Sequence, residues 1–410
     1  FQAEDGIRDS VASRGLGDVY KRQVRYLMTV TPFKINVPDS VLHDLHERLG
    51  RTRWPDEIPS SGWDYGSNLD YIKELVDYWK TKFDWRAQEK LINSFSHFKT
   101  DVNGLGIHFI HEKGKGPNPM PLVITHGWPG TFFEMYKVIP MLSDPVNHGG
   151  DASDSFDVVA PSMPGYGFSS ASANRGLDIF TIGDMWATLM SKNLGYKRFG
   201  AQGGDWGARV TAKLGLSHGD KVIGIHTTST TSPTPYLGTG SRELSEAENK
   251  MLKQREQWLA DEGGYSHIQS TKPQTLSYGL NDSPVGLAAW IVEKYRRWSD
   301  CEGNVETRFT KDELLTTVTI YWATQSINSS TRLYYEAFSK PWNLGENEKI
   351  QVPVAIAAFP SENTVPLREW SERAYNVQHW TDMPAGGHFA ALEEPEKLVE
   401  DIRHFFKGLR

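Results

Sequence analysis

A single cysteine, Cys301, stands in the 410 residues. No disulfide can close within the chain, which fits a reducing compartment and makes the cytoplasm the expected location. A structural role is expected for Cys301, since no glycine-rich turn surrounds it. No uninterrupted apolar run approaches the roughly 18 residues that a membrane span requires. Basic residues are not in excess either. Against 44 Lys and Arg stand 51 Asp and Glu, a formal net charge of −7, so nucleic acid and anionic membranes are poor partners. No internal repeat is visible. What remains is an ordinary globular composition, 38% hydrophobic and 23% charged. The length exceeds one minimal core and points to a large α/β domain with additions, or to two domains.

The first 23 residues stand apart. Phe1 to Gln23 has no apolar period, no signal-peptide core and no helix pattern, and it resembles the translation of a sequencing-library adapter. It is set aside, with Met28 the expected start. Phe33 to Val37 then alternates like a short strand ended by Pro38. Asp39 and Ser40 are the expected N-caps of a helix bearing Val41, Leu42, Leu45 and Leu49. A second helix should carry Leu69, Ile72, Leu75, Val76 and Trp79, and a third Leu91, Ile92 and Phe95. Residues 24–96 read as an N-terminal helical arm.

From residue 97 the period changes. His97–Val102 and Ile107–His111 read as a hairpin on Asn103-Gly104. Leu122–Thr125 is a buried strand, followed by a helix from Phe132 to Leu142. Phe156–Ala160, a helix from Thr181 to Leu194, a strand before Gly203 and the strand Val222–His226 continue the alternation. Strands alternating with helices predict a mostly parallel sheet with helices on both faces. The alternation lapses between 230 and 344, where Leu287–Trp298 and Lys311–Ser326 are the clearest helices. It returns at Val352–Phe359, with another short strand after His379-Trp380 and a closing helix carrying Leu398, Ile402, Phe405 and Phe406. The expected organisation is a core of residues 97–229 and 345–410, with residues 230–344 inserted between its sixth and seventh strands as a helical cap.

Gly203-Gly204-Asp205-Trp206-Gly207 lies between a strand and a helix and has the form G-x-D-x-G. The serine form of this pattern is the nucleophile elbow of α/β-hydrolases, a sharp turn that lifts its central side chain into a pocket. With Asp205 at the centre, the nucleophile is a carboxylate, ionised at neutral pH and able to attack a saturated carbon without a base. A surface turn would look the same in isolation. His388 within Gly386–Ala390 and Glu362 within Phe359–Asn363 complete the chain order nucleophile, acid, histidine used by that fold. A helix cap for His388 and a solvated loop for Glu362 are the plainer readings, and the joint order argues against both. Asp382 and Glu393 are rival acids. His126-Gly127-Trp128-Pro129 follows an early strand, where one backbone N–H of an oxyanion hole is expected; the residue after the nucleophile supplies the other. Trp128 and Trp206 are the expected donors, and His126 a structural residue.

These four motifs, HGWP at 126–129, GGDWG at 203–207, FPSE at 359–362 and GGHFA at 386–390, make the chain resemble the microsomal-type epoxide hydrolases over residues 30 to 408. The resemblance implies an α/β-hydrolase fold with an N-terminal arm and a cap. It implies that Tyr265, with Tyr334 or its neighbour Tyr335, donates hydrogen bonds to an epoxide oxygen; Tyr334 is the better match. Asp205 would form an ester that His388, oriented by Glu362, hydrolyses to a vicinal diol. Small apolar epoxides and water are the expected ligands, no metal or cofactor is required, a homodimer is allowed, and the membrane anchor of animal members is not expected. A haloalkane or haloacid dehalogenase would use the same Asp, His and acid, with the Trp128 and Trp206 indoles on halide. A non-enzymatic binding homologue is the remaining alternative.

Overall fold

Apolar runs bounded by turns become the strands of one nine-stranded sheet, described here from a computed structural model that covers residues 29–231, 237, 240–340, 342, 344 and 348–410. The adapter-like segment and Met28 lie outside the described residues. The chain opens with β1 (Thr31–Pro32) and three helices, α1 (Asp39–Gly50), α2 (Leu69–Thr81) and α3 (Trp85–Ile92). There follow β2 (His97–Val102), β3 (Leu105–Glu112), β4 (Met120–Thr125), α4 (Val138–Ser143), β5 (Phe156–Pro161), α5 (Ile179–Thr188), β6 (Phe199–Gly203), α6 (Asp205–Ser217) and β7 (Val222–Thr227). Six helices come next: α7 (Glu246–Glu262), α8 (Gly264–Thr271), α9 (Pro273–Leu280), α10 (Pro284–Arg297), α11 (Lys311–Thr324) and α12 (Ile327–Ser339). The chain closes with β8 (Ile350–Ala358), α13 (Arg368–Ala374), β9 (Tyr375–Asp382), α14 (Ala390–Glu393) and α15 (Pro395–Lys407).

The strand order is β1-β2-β3-β5-β4-β6-β7-β8-β9, antiparallel through the β3–β5 pair and parallel from β5 onward. Both faces of the parallel part are covered. Val123 of β4 joins the apolar cluster containing Trp186 of α5 and Val210 of α6, while Leu122 and Ile124 join the one containing Leu142 of α4 and Phe406 of α15. Successive side chains of a strand point to opposite faces, so a central strand buried on both sides is apolar throughout. The architecture is the α/β-hydrolase fold.

Several local expectations change. Phe33–Val37 is extended but is not a strand. Thr31 and Pro32 pair with β2, and the Phe33 N–H still donates to the His97 carbonyl at 2.8 Å; beyond them the N–H of Ile35 donates to Asn93 Oδ1 at 2.9 Å and that of Val37 to Glu89 Oε1 at 2.7 Å. The alternation reflects burial of Ile35 and Val37, which needs no ladder. Asp39 makes no cap bond at α1 and binds Arg86 at 2.5 Å instead. The helix expected over 132–142 is a 3₁₀ turn, Phe132–Met135, and then α4. An unbroken helix would need an N–H from Pro140, which has none. The helix expected from Thr181 starts earlier, because Asp178 Oδ1 accepts from the Thr181 N–H at 3.0 Å and sets the boundary at Ile179. It leaves α-geometry after Thr188, in a π turn over Leu189–Asn193. His379 and Trp380 sit inside β9 and do not precede a further strand. Between β7 and β8, read as helical throughout, the described residues hold four helices besides the two singled out, among them α8 and α12. No helix among the described residues is long and apolar enough to cross a membrane.

Candidate active site

Four loops at the carboxyl ends of β4, β6, β8 and β9 converge, as ligand-binding loops do in open α/β sheets. Between β6 and α6 the chain reverses within two residues, leaving Asp205 at φ 49°. Asp tolerates this left-handed region better than most side chains. The turn also needs Gly207, where a Cβ would stand 2.0 Å from the Thr125 carbonyl oxygen. Gly127 lets the β4 loop cross Asp205, since a Cβ there would lie 2.3 Å from Asp205 Oδ1.

Asp205 Oδ1 accepts the Trp128 backbone N–H at 2.8 Å. Oδ2 lies 3.5 Å from His388 Nε2, an ion-pair distance too long for a strong hydrogen bond. Burial by itself would raise the Asp205 carboxyl. The His388 side chain and the N–H groups of Trp128 and Trp206 outweigh it and hold the carboxyl below its usual range. His388 Nδ1 meets Glu362 Oε1 at 2.6 Å. Burial works against the imidazolium, yet Glu362 and Asp205, one beyond each ring nitrogen, hold it well above the ordinary imidazole value.

The rival acids are occupied elsewhere. Glu393 accepts the backbone N–H groups of Asp300, Gly387 and Phe389, bracing the histidine loop without touching the ring. Asp382 accepts the Trp380 indole N–H. His126 is buried and neutral: Nε2 accepts from the Met163 N–H at 3.1 Å, and burial pushes the ring down to about 4.

Helices α8 and α12 bring Tyr265 and Tyr334 to the Trp128 and Trp206 rings beside Asp205. The Tyr265 ring stacks on Trp128 at 5.4 Å, and the Tyr334 ring stands edge-on to Trp206 at 4.8 Å and to Tyr265 at 5.8 Å. Tyr334 is 3% exposed and Tyr335 is 44% exposed, turned away from this cluster. Burial raises both phenols of the pair above their usual range, so they are protonated donors at neutral pH. A separate cleft of about 900 Å³ between α1, the loop after it and the start of α10 contains none of these residues. It offers no nucleophile and base in contact, so the chemistry is assigned to the loops around Asp205.

Three neighbours escaped the sequence reading. Glu134, in the 3₁₀ turn, fills the space a Cβ on Gly130 would need, and burial pushes its carboxyl up to about 8. The Trp298 carbonyl accepts the His388 N–H at 2.9 Å, and its indole packs on the imidazole at 5.1 Å. Arg209 is one turn beyond Asp205 on α6. Only its i+4 spacing could have been read from sequence; the other two arrive through a turn and a cap helix. Among the described residues no cluster of His, Cys, Asp and Glu is arranged to hold a metal ion.

Known proteins share this arrangement of segments. Residues 30–135 match the epoxide hydrolase N terminus family, and residues 120–395 match the alpha/beta hydrolase fold family. Epoxide hydrolase 1 of Sus scrofa is 40% identical, over 92% of this chain and 88% of its own. The crystal structure of juvenile hormone epoxide hydrolase from Bombyx mori superposes with a TM-score of 0.83 at 31% identity, covering 93% of this chain and 95% of that one. The epoxide hydrolase of Aspergillus niger does so with a TM-score of 0.83 at 29% identity, covering 93% and 97%. From the sheet and its four converging loops to these full-length similarities, the chain belongs to the epoxide hydrolase family.

Proposed function

We propose that this enzyme hydrolyses small apolar epoxides to vicinal diols through an ester of Asp205. The observation that carries the reading is the placement of the Asp205 carboxylate between the Trp128 N–H and His388, beneath two protonated phenols. Oδ1 is held by a backbone donor, so Oδ2 attacks the epoxide carbon and that carbon–oxygen bond breaks. Tyr265 and Tyr334 donate to the developing alkoxide, a poor leaving group without such help. The alkoxide needs one proton, and the imidazolium has one to give up. Once Asp205 is esterified its charge is gone, the support for the imidazolium weakens, and neutral His388 becomes a base held by Glu362.

In the second step His388 takes a proton from water, hydroxide adds to the ester carbonyl, and the oxyanion rests on the N–H groups of Trp128 and Trp206. Collapse releases the diol and restores the carboxylate–imidazolium pair, so protons balance over the cycle. The arm of residues 24–96 and the cap of residues 230–344 enclose the site in this reading, and a homodimer is compatible with it.

Replacing His388 with Gln tests the scheme. Alkylation should persist while hydrolysis stops, so the protein gains the mass of the epoxide. In heavy-oxygen water, a single turnover of the intact enzyme should put label on Asp205 and an Asp205 oxygen in the diol. Solvent oxygen in the first-turnover diol with an unlabelled Asp205 would mean direct general-base attack and sink the nucleophile assignment. One observation favours the dehalogenase alternative: the indole nitrogens of Trp128 and Trp206 are buried without an acceptor. Halide is a good leaving group and has no use for two phenol donors, and measuring halide against diol release decides.

A further inference from the structure

The loop that follows α10 in the cap lies across the two turns that carry Glu362 and His388. Its Trp298 carbonyl accepts the His388 N–H at 2.9 Å, and a Cβ on Gly387 would stand 2.7 Å from that same oxygen, so glycine permits the approach. The Asp300 N–H donates to Glu393 Oε2 at 2.8 Å, on the carboxylate that also accepts from Gly387 and Phe389. The Asp300 side chain then joins the two turns to each other. Oδ2 accepts the Gly386 N–H at 2.9 Å, two residues before the histidine, and Oδ1 accepts the Ser361 hydroxyl at 3.1 Å, one residue before the acid. Arg308 fixes Asp300 in turn, with Nε on its carbonyl at 2.6 Å and Nη2 on Oδ2 at 2.9 Å, while Nη1 reaches Glu394 at 2.8 Å.

Glu362 and His388 lie 26 positions apart in the chain and meet through one contact of 2.6 Å. Directly between their turns run the Ser361–Gly387 bridge and the Ser361 N–H to the Gly386 carbonyl at 3.1 Å. A charge-assisted hydrogen bond is strong only while both partners keep their places, and small displacements in a reacting site are costly in rate. We infer that Asp300 is a positioning residue for the hydrolytic base: a cap carboxylate that ties the acid turn to the histidine turn and so sets the Glu362–His388 hydrogen bond. Its partners are Ser361, Gly386, Glu393 and Arg308, so it acts through the turns and not on the reacting atoms. The cap thereby holds the base as well as the phenols. The consequence for hydrolysis rests on the reaction proposed above; the geometry of the acid–histidine pair does not.

The test compares Asp300→Ala with Asp300→Asn. An amide carbonyl still accepts the Gly386 N–H, and its NH₂ donates to the Ser361 hydroxyl, which accepts as well as donates. Asn should therefore keep the bridge that Ala removes. In proton NMR of the free protein, the His388 Nδ1 proton, assigned by its absence in His388→Gln, should give a far-downfield resonance. It should persist in Asp300→Asn and broaden through solvent exchange in Asp300→Ala. In single turnovers, Asp300→Ala should slow ester hydrolysis by up to about 10²-fold and ester formation far less, with Asn recovering most of the rate. An unchanged resonance and hydrolysis rate in folded Asp300→Ala overturn the positioning and leave the epoxide reaction standing. Asn as slow as Ala in both steps also overturns it, since Asp300 would then act through its charge on the fold. Ser361→Ala cuts only the acid side of the bridge and should slow the same step to a smaller extent. No change there overturns the bridge even if the Asp300 variants do not fold. An Asp300-dependent resonance in a protein that forms no ester from any epoxide keeps the positioning and sinks the reaction.

Discussion

His388 is charged in the resting site because two carboxylates face its ring nitrogens, and in the reaction proposed above it must be neutral to hydrolyse the ester. The two steps should therefore depend differently on pH. Asp205 is held below its usual range and His388 well above its own, so both charges persist through neutrality and the rate of ester formation should be flat from about pH 5 to 8. Hydrolysis needs the base form in an ester that has lost the Asp205 charge, so its rate should rise with pH through the lowered value of His388. Stopped-flow tryptophan fluorescence resolves the phases, and a hydrolysis rate that falls with rising pH would contradict the assignment. The residues proposed to carry this chemistry were legible because the turns around them are written locally, in glycines beside Asp205 and His388. Glu134 and Arg209 were not, since neither belongs to a turn motif.

Helices α8 and α12 bring the proposed donors to a site built by the sheet, so their register decides which phenol faces inward. Tyr265→Phe and Tyr334→Phe should each slow ester formation about 10²-fold, by analogy with loss of one oxyanion donor. The double variant should nearly abolish it, and Tyr335→Phe should do little, because its ring is turned to solvent. A severe Tyr335 variant beside a silent Tyr334 one would mean that α12 is turned by one residue. In the arm, Glu89 takes the place of a neighbouring strand, accepting from the Val37 N–H at 2.7 Å and the Trp85 indole at 3.2 Å. Glu89→Ala leaves both donors buried and unpaired and should cost about 1–3 kcal/mol for each in a urea titration. A neutral result would show that water replaces the carboxylate. Sequence alternation predicted a strand at Phe33–Val37 because period-two burial is all that alternation reports; who supplies the hydrogen bonds is decided elsewhere in the chain.

At the scale of the whole molecule, two buried carboxyls and the central histidine make stability fall as pH rises, while His97, His108, His111 and His126, which burial holds below the imidazole value, act in the opposite sense below pH 6.5. Glu134 is raised to about 8 and Glu393 to about 7 from 4.5. At these two groups the folded state thus holds more protons than the unfolded chain between 4.5 and those values, and their contribution to stability declines as pH rises through that window. His388, raised above its unfolded value, adds a loss of the same sign at higher pH. Above pH 6.5, where the four lowered histidines are neutral in both states, thermal unfolding should give a higher Tm near pH 7 than near pH 9, and Glu134→Gln, which cannot ionise, should flatten the slope below pH 8. An unchanged slope in that variant would mean that Glu134 is solvated as an ordinary carboxylate.

The alternation of strands and helices, the three turns carrying Asp205, Glu362 and His388, and the chain order of these groups were determined by the sequence by itself. Each depends on near neighbours: side-chain period, glycine at strained backbone, proline at a stop. What only the tertiary structure decided is how distant segments share one small volume. Tyr334 and not Tyr335 meets Trp206, Glu393 is spent on the backbone while Glu362 holds the imidazole, Glu134 packs against Gly130 and Arg209 lies over the Trp206 ring. Burial and opposed charge arise only when the sheet and the cap close on each other, and no local pattern encodes them.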